Sequence, residues 1–222
     1  MRLFLLICLI CPSLIFGQKT KTTEQSFGVP SSKSATMNLQ FAQNIKVNNW
    51  NKNEIVLKTT FKYREDNFEQ WYDQQVDKSG GSLNIKTGFK NLESKKKNRY
   101  QCWGCENDNG DCYCLEFSYE VFAPSSIKLE IETISGDIEI PAWAGNIKVK
   151  SISGFIDLAL SSRDKMDLNV KSVTGEIYTD LDAVVLDGKS TPWSKKINTS
   201  LNGGGDLVRL ETVSGNIFLR KQ

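Results

Sequence analysis

The segment Thr133-Ile134-Ser135-Gly136-Asp137-Ile138 is the first of four copies of one short pattern in this chain. Each copy reads Ser/Thr, Val/Ile, Ser/Thr, Gly, any residue, Ile, and the copies begin at residues 133, 151, 172 and 212. Their glycines are Gly136, Gly154, Gly175 and Gly215. Successive glycines are 18, 21 and 40 residues apart, so we interpret the last interval as two periods with one degraded copy. A period of about 20 residues is typical of stacked repeat architectures.

Aliphatic residues recur at fixed distances from each of these glycines. In the first copy they are Leu129, Ile131, Ile134 and Ile138, which lie seven, five and two residues before the glycine and two after it. The alternation before the glycine is typical of a half-buried strand. Between the second and third of these positions the phase slips by one residue. This slip predicts a corner at the glycine, which tolerates the positive φ that corners often need, with the aliphatic residues stacked in inward columns.

Two arrangements satisfy a repeat of strand, corner and strand. In a β-solenoid, successive copies stack about 4.8 Å apart and their inward residues form columns. In an antiparallel β-sandwich, the glycines lie in hairpin turns. Because the aliphatic register is the same in every copy, the sequence predicts an all-β, single-domain, β-solenoid or β-helix-like stack of short strands with corner glycines. The antiparallel β-sandwich is the alternative.

The ends of the chain and one internal segment depart from this repeat. Residues 1–17 are predicted to be a signal peptide, since a basic start is followed by an apolar core too short for a membrane span, and no second such run follows. Residues 18–36 are rich in Lys, Thr, Ser and Gln and are predicted to be a flexible leader. Residues 37–222 then form the β-strand-repeat domain. Within it, residues 182–205 are predicted to be an irregular loop that includes the degraded copy.

Residues 100–116 are predicted to form a cysteine hairpin. Its cysteines are Cys102, Cys105, Cys112 and Cys114. In an exported chain, an even number of cysteines predicts disulfides. A hairpin that turns at Asn109-Gly110 opposes Cys105 to Cys112 and Cys102 to Cys114, with a bulge at Gly104. The alternative is a four-cysteine zinc site, because the first two cysteines have the spacing of a zinc knuckle.

The composition argues against most catalytic chemistries. The chain has no histidine, which excludes Ser-His-Asp and Cys-His pairs, and it has no P-loop or dinucleotide-binding motif. We predict no catalytic residue, cofactor or resident metal. Its formal net charge of +2 argues against a nucleic-acid partner. A polysaccharide-acting β-helix enzyme is the alternative, because Asp137, Asp157 and Glu176 follow corner glycines and could supply a carboxylate pair.

Aromatic residues near the corners form a possible binding surface. These residues are Trp143, Phe155, Tyr178, Trp193 and Phe218. Flat exposed rings commonly stack on sugars or on partner proteins. For any single ring, the alternative is that it covers a neighbouring loop or another ring.

The four copies of the glycine pattern resemble the bacterial putative-adhesin family of glycine-punctuated β-strand repeats, which is related to the head-GIN domains. The resemblance extends to residues 45–55, 200–205 and 215–221, and covers about residues 38–222. It implies an exported, β-solenoid-like protein of the cell envelope without known catalysis. No binding residues of the family can be assigned to this chain, and the cysteine hairpin has no counterpart in the family pattern.

Together these features predict an exported, non-enzymatic protein of the periplasm or cell surface. We expect a binding, adhesion or scaffold module whose partner is an envelope protein or a surface glycan. The alternatives are a polysaccharide-acting enzyme and a purely structural envelope protein.

Overall fold

The computed structural model describes residues 19–63, 68–90, 115–161, 163–181 and 195–222. These residues form an all-β fold with two short 3₁₀ turns, at Phe68–Trp71 and Ser79–Gly81. The strands are β1 (Lys19–Gly28), β2 (Ser34–Leu39), β3 (Asn44–Trp50), β4 (Glu54–Tyr63), β5 (Tyr72–Asp77), β6 (Leu83–Phe89), β7 (Leu115–Pro124), β8 (Lys128–Ser135), β9 (Asp137–Ala142), β10 (Ile147–Ser153), β11 (Ile156–Leu160), β12 (Met166–Ser172), β13 (Ile177–Thr179), β14 (Lys195–Leu201), β15 (Asp206–Ser214) and β16 (Ile217–Lys221). None of the described residues belongs to a helix long and apolar enough to cross a bilayer.

The strands form two eight-stranded sheets. Sheet A has the order β1-β4-β7-β3-β9-β11-β16-β13, and sheet B has the order β14-β12-β15-β10-β8-β2-β6-β5. Buried residues of both sheets belong to one hydrophobic core, which includes Val149 and Ile131 from sheet B and Ile138 and Leu158 from sheet A. The interior is therefore shared along the length of the stack.

Each glycine repeat contributes one strand to each sheet. The strand before the glycine lies in sheet B and the strand after it lies in sheet A, which gives the pairs β8/β9, β10/β11, β12/β13 and β15/β16. Neighbouring repeats are parallel, so that Val149 lies between Ile131 and Leu210. In sheet A, Ile156 lies between Ile138 and Ile217 in the same way. The predicted inward columns are present at these positions.

The repeats do not stack in chain order. The fourth repeat, β15/β16, lies between the third and the second in both sheets. Antiparallel strands flank the parallel ones: β14 on β12 at one end of sheet B, and β5 on β6 at the other. The predicted all-β class is confirmed, and two sheets around a common core are compatible with the sandwich-like alternative as well as with a coil of strands.

The first part of the chain is not a flexible leader where the structure describes it. Strand β1 pairs antiparallel with β4 over its whole length, from Lys19 opposite Tyr63 to Gly28 opposite Glu54. Strand β2 begins at Ser34 and pairs with both β6 and β8. The prediction for residues 18–36 is therefore wrong over these strands. A polar, Lys- and Thr-rich sequence suits an exposed edge strand, because the backbone hydrogen bonds of the strand do not require a buried side chain at each position.

Part of the predicted irregular loop at residues 182–205 is also a strand. Strand β14 pairs antiparallel with β12, and Ile197 and Leu201 bury their side chains in the core. A turn with positive φ at Asn202, Gly203 and Gly204 leads into β15. Residues 195–201 thus form an edge strand, and not a degraded parallel copy of the repeat. Residues 182–194, which include Trp193, lie outside the described residues.

Two further predictions also fall outside the described residues. These are the signal peptide at residues 1–17 and the cysteine hairpin, whose residues 115 and 116 alone are described, as the start of β7. The disulfides Cys102–Cys114 and Cys105–Cys112, and the zinc alternative, stay predictions.

Candidate binding surface

The strands of sheet B keep strict alternation up to each corner, so the phase slip lies at the corner itself and not, as predicted, within the strand before it. The hydroxylated residue three positions before each glycine faces the core. These residues are Thr133, Ser151, Ser172 and Thr212, and all four are at most 5% exposed. The aliphatic residue two positions before the glycine consequently points away from the core. The prediction that it belongs to the inward columns was wrong.

Buried hydroxyl groups are tolerated here because they bond to the backbone of the corner. The Thr133 hydroxyl lies 2.7 Å from the carbonyl oxygen of Leu39 and 2.6 Å from that of Ser135. The Ser151 hydroxyl donates to the carbonyl oxygen of Ser153 at 2.9 Å. Ser172 donates to a carbonyl in the next repeat and accepts from the Gly175 amide. In the described part of the chain, the buried Thr212 hydroxyl has no hydrogen-bond partner, and nothing in the structure explains it.

The outward aliphatic residues form one continuous feature, which we name the aliphatic stripe. In the order of the stacked strands it consists of Val173, Val213, Ile152 and Ile134. Three of them are well exposed, at 37% for Val173, 46% for Val213 and 52% for Ile152. The stripe forms the floor of a groove of about 390 Å³, which Asn38 and Gln40 extend past Ile134. An exposed contiguous apolar surface with a polar rim is a candidate interaction site.

A row of alternating charges runs beside the stripe, two residues earlier on each strand. This charge ladder consists of Lys171, Glu211, Lys150 and Glu132, in the same strand order. Lys150 Nζ lies 3.1 Å from Glu132 Oε1, and this hydrogen bond raises the pKa of Lys150. Glu211 pairs within its own strand with Arg209. All four ladder residues also line the groove.

A second ion pair joins Lys148 and Glu130, which lie two residues before Lys150 and Glu132 on the same strands and so farther from the stripe. Burial by itself would raise the pKa of Glu130. The hydrogen bond and the charge of Lys148, with a contribution from Lys150, outweigh burial and hold the pKa of Glu130 below its ordinary value. The outer face of sheet B is thus an apolar stripe bordered by a neutralised, ordered charge pattern.

The corner glycines hold the repeats in close register. A Cβ atom on Gly175 would coincide with the carbonyl oxygen of Gly215, and one on Gly215 would coincide with that of Gly154. The same overlap occurs between Gly154 and Gly136. Gly136 and Gly154 also have positive φ, 121° and 113°, whereas Gly175 and Gly215 do not. The predicted positive φ at the corner is therefore present in the first two copies only. In all four copies the corner has no space for a side chain on the glycine.

Three of the predicted surface aromatics come together on the outer face of sheet A. Tyr178 stacks on Phe218 with ring centroids 5.2 Å apart and an angle of 13°, and Phe155 meets Phe218 edge-on at 6.0 Å. One face of the Phe218 ring is therefore covered by Tyr178. Tyr178 itself is 50% exposed. The prediction of Trp143 as a surface residue is wrong, because its side chain is 3% exposed and its indole N–H donates to the Gly145 carbonyl.

The acids considered for a carboxylate pair each contact a neighbouring group. Asp137 accepts a hydrogen bond from the Phe155 amide, and Asp157 forms an ion pair of 2.6 Å with Arg220. Glu176 pairs with Lys195 at 3.6 Å. Among the residues that the structure describes, no group of three or more His, Cys, Asp or Glu side chains is placed to hold a metal ion.

Sequence reasoning missed the aliphatic stripe although a signal for it was present. The hydroxylated residue three before each glycine has the same phase as the aliphatic residues seven and five before it. A strict period of two therefore already placed Ile152 and Val213 on the outside. The signal was overlooked because an aliphatic residue was assumed to be a core residue.

No protein-family model and no curated protein matches this chain. Among solved structures, the chain is similar to a putative cell adhesion protein from Clostridium sporogenes, with a TM-score of 0.54 and 13% identity over 92% of this chain and 100% of that chain. A putative adhesin from Parabacteroides merdae has a TM-score of 0.24 and 8% identity, over 72% of this chain and 69% of that chain. A putative adhesin from Bacteroides fragilis has a TM-score of 0.26 and 11% identity, over 91% of this chain and 97% of that chain. The first likeness shows a shared fold, and the other two are too distant to carry an argument.

Proposed function

We propose that this protein is an exported, non-enzymatic binding module of the cell envelope, in the periplasm or on the cell surface. We further propose that it is a β-solenoid-like member of the putative-adhesin family and that it binds a protein through the aliphatic stripe. The observation that carries the proposal is the outward position of Ile134, Ile152 and Val213 on three adjacent strands, and of Val173 directly after the end of the fourth, β12. The apolar N-terminal segment supports export.

The physical argument is the cost of leaving the stripe in water. Full burial of one Val or Ile side chain contributes about 1.5–3 kcal/mol, so covering the exposed part of four contributes several kcal/mol. Stacked strands supply a rigid surface, which reduces the entropy lost on binding. A partner that covers this groove therefore gains free energy without reorganising the fold.

The chemistry of the stripe favours a protein partner over a glycan. β-Branched aliphatic side chains have no flat face on which a sugar ring can stack. On the other sheet, Phe218 is partly covered by Tyr178. The half-exposed ring of Tyr178 is the observation that favours a glycan as the second candidate.

The proposed absence of catalysis is supported by the lack of histidine and by the structural contacts of the candidate acids. Asp157 is engaged by Arg220 and Glu176 by Lys195. A hydrolase needs a proton donor and a base or nucleophile placed across one bond.

The test uses the mature chain, residues 18–222, in an envelope pull-down and on a glycan array. The test variant is Ile152→Ser/Val213→Ser. The control is Val76→Ser, which removes a 41% exposed aliphatic side chain from the edge strand β5, away from the stripe. We expect the wild type and the control to retain an envelope protein and the double variant to lose it.

Three results would contradict the proposal. If the double variant retained the envelope protein as well as the wild type does, the stripe would not be the binding surface. Binding to a glycan that is unaffected by the double variant would favour the second candidate. Depolymerisation of any polysaccharide on the array would show an enzyme.

A further inference from the structure

The charge ladder is complementary to itself when its order is reversed. From β12 to β8 it reads Lys171, Glu211, Lys150, Glu132. Read backwards, every lysine meets a glutamate and every glutamate meets a lysine. A surface that matches its own reverse is what an isologous, two-fold interface requires.

We propose that the partner bound at the aliphatic stripe is a second copy of this chain, which makes the protein a homotypic binder. The inference rests on the proposed function, since it names the partner of the same surface. The two-fold axis lies in the outer face of sheet B, parallel to the strands, and passes between β15 and β10. Rotation about this axis keeps the strand direction and reverses the order of the strands.

This rotation pairs the charges without a mismatch along the ladder. Lys171 faces Glu132 of the second copy, and Glu211 faces Lys150 of the second copy, each contact occurring twice. At the ends of the ladder, Asn38 follows Glu132 and Lys196 follows Lys171 on the neighbouring strands. The next contact is therefore between a lysine and a neutral amide, which introduces no like-charge repulsion.

The same rotation pairs the apolar side chains by size. Val173 faces Ile134 of the second copy, and Val213 faces Ile152 of the second copy. Every contact along the stripe is thus one valine against one isoleucine, so the two faces keep an even separation. Sheets whose inner faces carry such side chains pack about 10 Å apart.

The spacing of the stripe also favours a sheet, such as that of a second copy, over an α-helix or a single extended strand. Adjacent strands lie about 4.8 Å apart, and a second copy repeats this spacing in every pair. An α-helix along the stripe advances about 5.4 Å per turn, and same-face residues of an extended strand are about 6.6–6.8 Å apart. Both would lose register with the four side chains.

Two residues before the ladder on β15 and β10, the same rotation brings like charges together. Arg209 faces Lys148 of the second copy. Each is already paired in its own chain, Arg209 with Glu211 and Lys148 with Glu130. These carboxylates reduce the repulsion between the two cations, and the contacts of the ladder have to outweigh what remains of it.

Other in-plane orientations lose the ladder. A two-fold axis perpendicular to the strands would place the stripe of one copy on the stripe of the other. The two ladders would then lie on opposite sides of the stacked stripes and would not meet. Only the reversed order buries the stripe and pairs all four charges together.

The test is a charge swap followed by sedimentation equilibrium on the mature chain. Lys171→Glu alone and Glu132→Lys alone each place two like-charge contacts across the axis. We expect the wild type to be a dimer and each single variant to dimerise at least tenfold more weakly. An equimolar mixture of the two variants should form a heterodimer, and the double variant Lys171→Glu/Glu132→Lys should recover the homodimer, since both restore opposite charges.

Recovery in the mixture separates loss of the interface from loss of the fold, and unchanged circular dichroism of each variant checks the fold directly. A wild-type chain that stays monomeric at high micromolar concentration overturns the inference. Single variants that dimerise as tightly as the wild type, or a mixture that stays monomeric, overturn it as well. A monomer that still captures another envelope protein through the stripe would contradict this inference and leave the proposed function intact.

Discussion

Ile152 lies beside Val213 on adjacent parallel strands, and both side chains point away from the core, at 52% and 46% exposed. The residues that precede them, Ser151 and Thr212, are buried. The order of polar and apolar residues at the corner is thus the reverse of a simple inside–outside pattern. The Ser151 hydroxyl bonds to the backbone of the corner, the Thr212 hydroxyl has no hydrogen-bond partner among the described residues, and both aliphatic side chains face outward.

The outward position of the stripe predicts a small effect of its residues on stability. In the monomer, Ile152→Ala should lower the free energy of unfolding by less than about 0.5 kcal/mol, as is usual for surface positions. The variants are compared at a protein concentration at which the chain is monomeric, because dimerisation adds to the apparent stability. Ile131→Ala, at a fully buried position of the neighbouring strand, should cost about 2–5 kcal/mol. Urea denaturation of the two variants measures both values. A cost at Ile152 as large as that at Ile131 would place the stripe in the core.

The close approach of the corners predicts that Gly175 cannot carry a side chain. Gly175→Ala should destabilise the fold by at least about 2 kcal/mol, because the Cβ would overlap the carbonyl oxygen of Gly215. The control is Gly28→Ala, where no atom lies within 4 Å of the added Cβ and φ is not positive. Thermal unfolding should show a lower Tm for the first variant and no loss for the second. Equal Tm values for both would mean that the corners are farther apart than described.

The ion pair on the outer face of sheet B predicts a pH-dependent contribution to stability. The pKa of Glu130 is lower in the folded state than its ordinary value of 4.5. The carboxylate therefore contributes its full stabilisation of the fold above pH 4.5, and this stabilisation is lost as the pH falls through the pKa of the folded state. Glu130→Gln should therefore cost less than about 1 kcal/mol at pH 7. The difference from the wild type should decline as the pH falls below 4.5 and disappear once the pH is below the folded pKa of Glu130. Denaturation curves at several pH values measure it, and a difference that grows in acid would reverse the sign of the argument.

The sequence predicted the all-β class and the inward columns because period-two alternation depends only on side-chain direction. Ile131, Val149 and Leu210 align as expected for this reason. The order of the repeats could not be predicted in the same way. Since the copies have the same pattern, Leu210 fits against Val170 as well as against Val149, and it contacts both.

The remaining differences come from backbone hydrogen bonding, which composition does not report. Residues 19–28 were expected to be flexible for their polarity, yet β1 completes the edge of sheet A on β4. Trp143 was expected at the surface, yet the Gly145 carbonyl satisfies its indole N–H inside the fold. The stripe itself was missed because the satisfied hydroxyl of Ser151 can occupy a core position that an aliphatic residue was expected to hold.

The most direct test of the account is site-specific photo-crosslinking in the cells that produce the protein. A photoreactive amino acid replaces Val213 in the stripe, and in a second variant it replaces Val76, which is 41% exposed on the edge strand β5 and lies on the same side of the sheet as the core residue Ile85. We predict a covalent adduct at position 213 and none at position 76, with the mass of two chains if the partner is a second copy. Equal adducts at both positions, or none at position 213, would contradict the claim that the aliphatic stripe is the binding surface.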